Sequence, residues 1–378
     1  MIHLSPEHLH YLEFTRAYVK TSHSDYMLLA LLLAEGGRFT VSPNPMVGCV
    51  LVKHKQIVGE GFHLQAGGPH AEIMALQLAG SKAQGATAYV TLEPCCHYGR
   101  TPPCTQALIQ AGIKEIFISS LDPNPLVAGK GIDLLRAAGI TVHEGLMKAE
   151  ATQLNEIFFH YIQSKRPFVI AKWAMSLDGK TATHQLDTND ISCPHSQQHS
   201  HQTRQQVDAI LIGANTAIHD DPLLTVRHAS THSTYVKQPI RIVLSKRGQL
   251  PTDLKLFNTP LAAKTIIATT DRVNTDWIKT MQTKQIEVLI LPQDEEGNVD
   301  LMSLLDELGQ REITSLLVEG GMTVHHHFFK KNLINKIQVY LAPIIIGSLE
   351  KKHGLANMQL KQIDSDFYFC ADYKNKEL

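Results

Sequence analysis

Nowhere is this chain apolar for the roughly 18 residues that a bilayer-spanning helix needs. The longest such run, YMLLALLLAEGG (26–37), is short and ends in Gly-Gly. The amino terminus, MIHLSPEHLHYLEF, lacks the basic segment followed by an apolar one that marks a secretory signal. A surplus of positive charge is missing too. The formal net charge is -1, and the aromatic–basic patches typical of nucleic-acid binders are absent. No G-x-G-x-x-G occurs, which argues against a standard Rossmann domain. Internal repeats and low-complexity segments are also lacking. Cysteine is sparse, with six in 378 residues. Without an export signal, these argue for reduced thiols, metal ligation or catalysis rather than a disulfide framework. The expected setting is the cytoplasm, with neither a membrane nor a nucleic acid as partner.

What is present suits two or three globular domains: 43% apolar and 19% charged residues over 378 positions. Residues 1–24 read as a helical extension, with Ser5 and Pro6 at a helix start. A helix follows at 25–36. Strands are predicted at 47–53 and 56–63, then strand–helix alternation through 86–94, 104–112, 115–122, 131–139 and 140–145, with a helix of residues 71–80 before it. A helix over 149–165 leads to Lys165-Arg166-Pro167, where the domain boundary is placed. The second half repeats the α/β rhythm, with strands at 168–176, 207–215, 240–245, 264–270, 286–292, 314–321 and 336–347, and 368–373 closing the sheet. The expectation is helices on a sheet in both halves, in domains 25–165 and 166–378.

The chemistry concentrates in two places. The first is His70-Ala71-Glu72, followed by LEPCCHYGRTPPC (92–104). One imidazole and two thiolates fill three positions of a zinc ion and leave the fourth for water. Cys95, directly after Pro94, is the better ligand, and Cys96 reads as a packed thiol. Pro94 and Pro102-Pro103 stiffen the backbone beside the ligands. Cys104 opens a helix, whose positive end favours a thiolate. Glu72 is then the proton carrier, as in the H-x-E…P-C pattern of zinc deaminases. Most of the 21 histidines, including the triplet His325–His327, read as structural, since neighbouring positions on a helix point in different directions.

The motifs HAE, EPCCHYGRTPPC, SPNPMVGCV (42–50), LDPNPLVAGKG (121–131), SLDGK (176–180), DDPLLTVR (220–227) and VEGG (318–321) stand in order across both halves. Together they resemble the bifunctional deaminase–reductases of riboflavin biosynthesis. The eight residues between Cys95 and Cys104 match that family, whereas other zinc deaminases commonly have two. The resemblance implies a cytidine-deaminase-like α/β/α sandwich followed by a dihydrofolate-reductase-like α/β domain. It implies zinc on His70, Cys95 and Cys104, proton transfer by Glu72, and substrate contacts from Asn44, His63, His97, Arg100, Asp122 and Asn124. The implied reaction removes an amine from a phosphoribosylated diaminopyrimidinone; NADPH then reduces the ribosyl group to ribityl. Cys96 departs from the family's usual Ser.

The second place is SLLVEGGMTV, a strand running into Gly320-Gly321 and a helix. Backbone amides at a helix start bind phosphate, and glycine permits its approach. Arg204 and Arg227 offer guanidinium forks for a substrate phosphate. The resemblance places Asp220 near the nicotinamide and the sugar carbon that receives hydride. It lines the reductase cleft with Lys172, Asp178, Thr188, Thr216, Leu224 and Glu319, and brings Ser245, Met322 and Thr323 to the cofactor. Asp190 stands where relatives carry a tryptophan, and Lys246-Arg247 replaces a family Asp-Ser, so cofactor binding is where this chain departs most. A homo-oligomer, dimer or tetramer, is expected. Two competing readings are a zinc deaminase whose second half only binds or assembles, and a deaminase of nucleic-acid bases.

Overall fold

In the computed structural model, which describes residues 22–97, 103–124, 127–176, 179–181, 191–227, 236–259, 263–342 and 355–373, the chain divides into units Met1–Ser164 and Lys165–Leu378. The helix expected before residue 22 lies outside the described residues.

The first unit is built on strands β1 (Gly48–Lys53), β2 (Gln56–Phe62), β3 (Thr87–Leu92), β4 (Glu115–Ser120) and β5 (Thr141–Glu144), in spatial order β2-β1-β3-β4-β5. β1 runs antiparallel to β2 and β3, whereas β3, β4 and β5 are parallel. The helices are α1 (His23–Ala34), α2 (Ala71–Ala79), α3 (Cys104–Gln110), α4 (Lys130–Ala137), α5 (Lys148–Leu154) and α6 (Glu156–Ser164). Ser22 and Asp25 form a reciprocal capping box that starts α1.

Strand alternation sorts the two faces of the sheet. Cys49, Leu51, Ala88 and Val90 pack with Ala71, Ala75, Leu108, Ile132 and Leu135. Val50, Val52 and Tyr89 pack instead with Met27, Leu29, Leu33 and Ala151. Helices therefore cover both faces, an α/β/α sandwich. Each fully buried Leu or Ile contributes about 1.5–3 kcal/mol. The helix predicted over 149–165 is two helices. It breaks at Asn155, whose side chain is drawn off to bond both the amide and the carbonyl of Met46, each at 2.8 Å.

Among the described residues, the second unit holds nine strands: β6 (Phe168–Ser176), β7 (Ala209–Gly213), β8 (Ile240–Leu244), β9 (Thr265–Thr269), β10 (Glu287–Ile290), β11 (Ser315–Val318), β12 (Lys336–Ala342), β13 (Leu355–Ile363) and β14 (Asp366–Tyr373). Their order is β10-β9-β8-β7-β11-β6-β12-β14-β13. The run from β10 to β12 is parallel, and β14 and β13 add an antiparallel edge. The connecting helices are α7 (Pro194–Gln206), α8 (Ala214–Asp220), α9 (Lys255–Asn258), α10 (Thr275–Thr283), α11 (Leu301–Gln310) and α12 (Met322–Lys330). Val169, Leu211, Ile242, Leu316 and Val318 pack with Leu304, Leu308, Val324 and Phe328 on one face.

Strand β13 is not legible in the sequence. LANMQLKQI mixes polar and apolar residues without clean alternation, and it becomes a strand by pairing with β14. Among the described residues, no helix is long and apolar enough to cross a membrane.

Candidate active sites

In the first unit, parallel pairing brings two loops together. Leu92 of β3 lies beside Ser120 of β4, so the chain leaves both strands at one edge, with Cys95 on one exit and Asp122 on the other. Opposite them, His70 is the N-cap of α2 and Glu72 lies in its first turn. This start of the helix is where residues two apart can face one site. Gly61 on β2 allows α2 to press close: a Cβ there would stand 2.6 Å from the Ala71 carbonyl. Cys104 is the first residue of α3, following Pro103.

His70 Nδ1 lies 3.3 Å from Cys104 Sγ and 3.6 Å from Cys95 Sγ, and the three donor atoms are all within 4.8 Å of one another. Zn–S and Zn–N bonds at a tetrahedral angle put neighbouring ligands about 3.6 Å apart, so the donors fit the ion. Cys95 is held by its carbonyl, which accepts from the Thr105 amide and hydroxyl at 3.2 Å each. Its sulfur accepts from the Cys104 amide at 3.3 Å. Hydrogen bonding from Cys104 holds the Cys95 thiol down to about 4, while the same contact and burial push Cys104 up. Glu72 is buried, and desolvation, followed by the charge on Cys95, raises its carboxyl to about 6.

The neighbouring candidates are tied to this set. His63, 2% exposed, packs edge-on to His70 with centroids 5.3 Å apart. Its Nδ1 is 3.0 Å from the Pro69 carbonyl and its Nε2 is 3.0 Å from Asn44 Nδ2. A carbonyl only accepts, so Nδ1 carries the proton and Nε2 accepts from Asn44. Burial lowers the His63 pKa, in keeping with a neutral ring. Asn124 donates its amide to Asp122 Oδ1 at 2.8 Å, and burial pushes the Asp122 carboxyl up to about 6. His97 Nδ1 is buried with no hydrogen-bond partner among the described residues. Arg100 lies outside them.

Sequence reasoning missed two supports. Asn155 clamps the Asn44–Met46 loop through Met46. Glu93, 3% exposed, accepts the amides of Asp122 (3.3 Å), Gly129 (3.0 Å) and Gly131 (3.0 Å). It thereby fixes the loop that carries Asp122 and Asn124. A buried carboxylate in LEPCC was a usable signal, because such a group needs donors.

In the second unit, β11 lies between β6 and β7, with Val318 beside both Ala171 and Leu211. The residues just past this register, Lys172 and Glu319, face a cavity of about 770 Å³. Glu319 takes Arg204 of α7 in two hydrogen bonds, Nε–Oε1 at 2.9 Å and Nη2–Oε2 at 2.6 Å. Lys172 Nζ stands 3.9 Å from Glu319 and 5.4 Å from the Tyr340 ring centroid. Burial alone would raise the Glu319 pKa; Arg204 and Lys172 overcome it and hold the carboxyl down to about 2. Burial lowers the Lys172 pKa against the attraction of Glu319.

Thr216, Asp220 and Arg227 line the same cavity, as do Gly320, Gly321 and Met322. The Gly321 amide donates to Thr216 Oγ1 at 3.0 Å. A Cβ on Gly320 would meet the Gly213 amide nitrogen at 2.8 Å, so only glycine fits there. Gly321 is the N-cap of α12 and has no side-chain cap. Its helix start is suited to a phosphate of the dinucleotide. Thr216 and Gly321 also border a smaller cavity of about 190 Å³, shared with Ser245, Lys246 and Thr323. Leu224 is 3% exposed and is buried in the protein rather than lining the cavity. Asp178, Thr188 and Asp190 lie outside the described residues.

Comparison with known proteins agrees across both units. The family profile described as "Cytidine and deoxycytidylate deaminase zinc-binding region" matches residues 20–120, and that described as "RibD C-terminal domain" matches 167–367. The riboflavin biosynthesis protein RibD of Actinobacillus pleuropneumoniae is 44% identical over 341 residues, covering 90% of this chain and 89% of that one. RibD of Aquifex aeolicus is 44% identical, covering 87% and 89%. Among solved structures, Acinetobacter baumannii RibD superimposes with a TM-score of 0.83 at 36% identity, over 93% of this chain and 99% of that one. The deaminase/reductase of Thermotoga maritima gives 0.79 at 33% identity, over 96% and 100%. A match of this extent, over a zinc-type donor set in one unit and a charged cleft in the other, means that the chain belongs to the RibD family of bifunctional deaminase–reductases in riboflavin biosynthesis.

Proposed function

We propose that the first unit hydrolytically deaminates 2,5-diamino-6-(5-phosphoribosylamino)pyrimidin-4-one and that the second reduces the ribosyl group of the product to ribityl. The observation that carries the reading is the pairing of His70, Cys95 and Cys104 with a buried Glu72 in the same chain as the Lys172–Glu319–Arg204 cavity.

Bound zinc supplies a Lewis acid that brings a water's pKa to about 7. Glu72, buried beside the ligands, carries two protons in turn: one from the attacking water to the ring nitrogen, and a second from the hydroxyl so added to the departing amine, which leaves as ammonia. Asn44 and Asp122 orient the pyrimidine edge, and His63, neutral and tethered to Pro69, holds Asn44 in place.

NADPH supplies the hydride of the second step. Arg204 has its fork on Glu319, so we assign the substrate phosphate to Arg227 and give Arg204 the task of orienting Glu319. Lys172 and Glu319 place charge beside the sugar, and Asp220 borders the hydride path. Gly320 and Gly321 let the dinucleotide approach the start of α12. The enzyme works in the cytoplasm as a homo-oligomer. A coupled assay on metal-replete enzyme tests the reading: ammonia released and NADPH oxidised in equal amounts from the diaminopyrimidinone nucleotide. Ammonia without NADPH oxidation on the deaminated nucleotide would instead favour a second unit that only binds or assembles.

A further inference from the structure

We infer that the reductase unit carries a second metal site, for a zinc-type divalent cation, formed by Cys193, His195 and Asp364. The site goes beyond the two reactions, and its residues are separate from the His70, Cys95 and Cys104 set.

A thiol sulfur, an imidazole nitrogen and a carboxylate oxygen from these residues all lie within 4.8 Å of one another. His195 Nδ1 is 3.5 Å from Asp364 Oδ2, close to the edge of about 3.3 Å that two such ligands span on a tetrahedral zinc ion. The donors come from distant segments, the start of α7 and the turn between β13 and β14. An exposed His–Asp ion pair on its own is worth little and would not require a cysteine. Here the Cys193 sulfur lies within 4.8 Å of both other donors; its thiol is within donating distance of the Ile363 carbonyl at 3.6 Å and Ser196 Oγ at 3.5 Å, contacts that ligation would replace.

The backbone that carries the three donors is set by a residue outside the site. Asp366, 2% exposed, accepts the Cys193 amide at 2.6 Å and the Ser196 hydroxyl at 2.9 Å. It stitches the start of α7 to the hairpin. The turn itself is held with Asp364 at φ +54°. The His195 and Asp364 side chains are 68% and 61% exposed, so an ion reaches the corner from solvent and keeps water in its fourth position. The positive end of α7 opposes a cation there; the Asp364 carboxylate and the Cys193 thiolate offset it. On binding, the Cys193 thiol releases its proton to solvent, and sulfur, imidazole and carboxylate each donate a lone pair. No oxidation takes place. Ile191, Ser192 and Ser196 border the large cavity, so the ion braces one wall of the reductase cleft.

The test is metal content of the full-length enzyme, stripped by chelator, reloaded with zinc and passed through gel filtration in zinc-free buffer. Wild type is expected to keep one more zinc per chain than Cys193→Ser and than the double variant His195→Ala/Asp364→Asn, with ammonia release the same in all three. Serine keeps the amide that binds Asp366, and asparagine tolerates a positive φ, so both variants preserve the frame. With cobalt in place of zinc, the second equivalent adds a thiolate charge-transfer band that Cys193→Ser removes. Equal metal content in wild type and variants overturns the inference. If the one retained zinc still supports ammonia release, the deaminase reading stands while this one falls; zinc absent from an enzyme that deaminates would overturn both.

Discussion

Arg204 grips Glu319 with both arms of its guanidinium, at 2.9 and 2.6 Å, and gives a third N–H to the Thr225 carbonyl at 3.2 Å. A buried carboxylate is thereby kept ionised at the centre of the reductase cavity, and α7 is tied to the end of β11.

This pair has a pH signature. The Glu319 carboxyl is held down to about 2 from an ordinary 4.5, which amounts to about 3 kcal/mol of native-state stability. Because the folded pKa is the lower one, that stability is fully present above about pH 4.5 and disappears as pH falls toward 2. Denaturant unfolding of wild type should weaken across that window. Glu319→Gln should lack this part of the slope and start from lower stability, since it leaves Arg204 as a buried cation without its carboxylate. Parallel slopes for the two proteins would refute the assignment.

Glu72→Gln keeps the shape of the side chain and removes its proton traffic. Ammonia release should fall by about 10²–10⁴, while zinc content and NADPH oxidation on the deaminated nucleotide stay at wild-type levels. Loss of the metal would make Glu72 a ligand instead.

Glu93 acts through a loop. Replacing its carboxylate by an amide weakens three hydrogen bonds, to Asp122, Gly129 and Gly131. Charge-assisted bonds are worth roughly 1.5–3 kcal/mol, so Glu93→Gln should raise the deaminase KM about tenfold or more and leave the reductase KM alone. Glu93→Ala should do more harm than Glu93→Gln. Equal effects on both activities would point to general loss of folding.

Arg227→Ala should raise the reductase KM for the phosphorylated nucleotide about tenfold, with kcat retained. That is the pattern of a contact made equally in ground and transition states. The dephosphorylated nucleoside should not distinguish wild type from variant; if it does, Arg227 is not the phosphate contact.

How far the sequence speaks depends on how local the signal is. The start of α2 at His70, the opening of α3 by Cys104 and the break at Gly320-Gly321 are announced by neighbouring residues, and so were legible. Strand β13 was not, because its polar, irregular pattern is settled by the hydrogen bonds of β14. The role of Arg204 was half legible: its fork signalled a substrate phosphate, but the carboxylate it meets in the fold lies 115 residues away. Glu93 and Asn155 were overlooked for the same reason, since their donors and acceptors come from other loops.

By itself the sequence determined the residue types gathered at the candidate site, the alternation of strands and helices, and the family, because these depend on residue identity and short spacing. Only the tertiary structure decided that Arg204 serves Glu319, that Asp122 hangs from Glu93, and that Cys193 meets His195 and Asp364. Those outcomes depend on which strands lie side by side, and strand order is set by burial of the whole sheet rather than by any one segment.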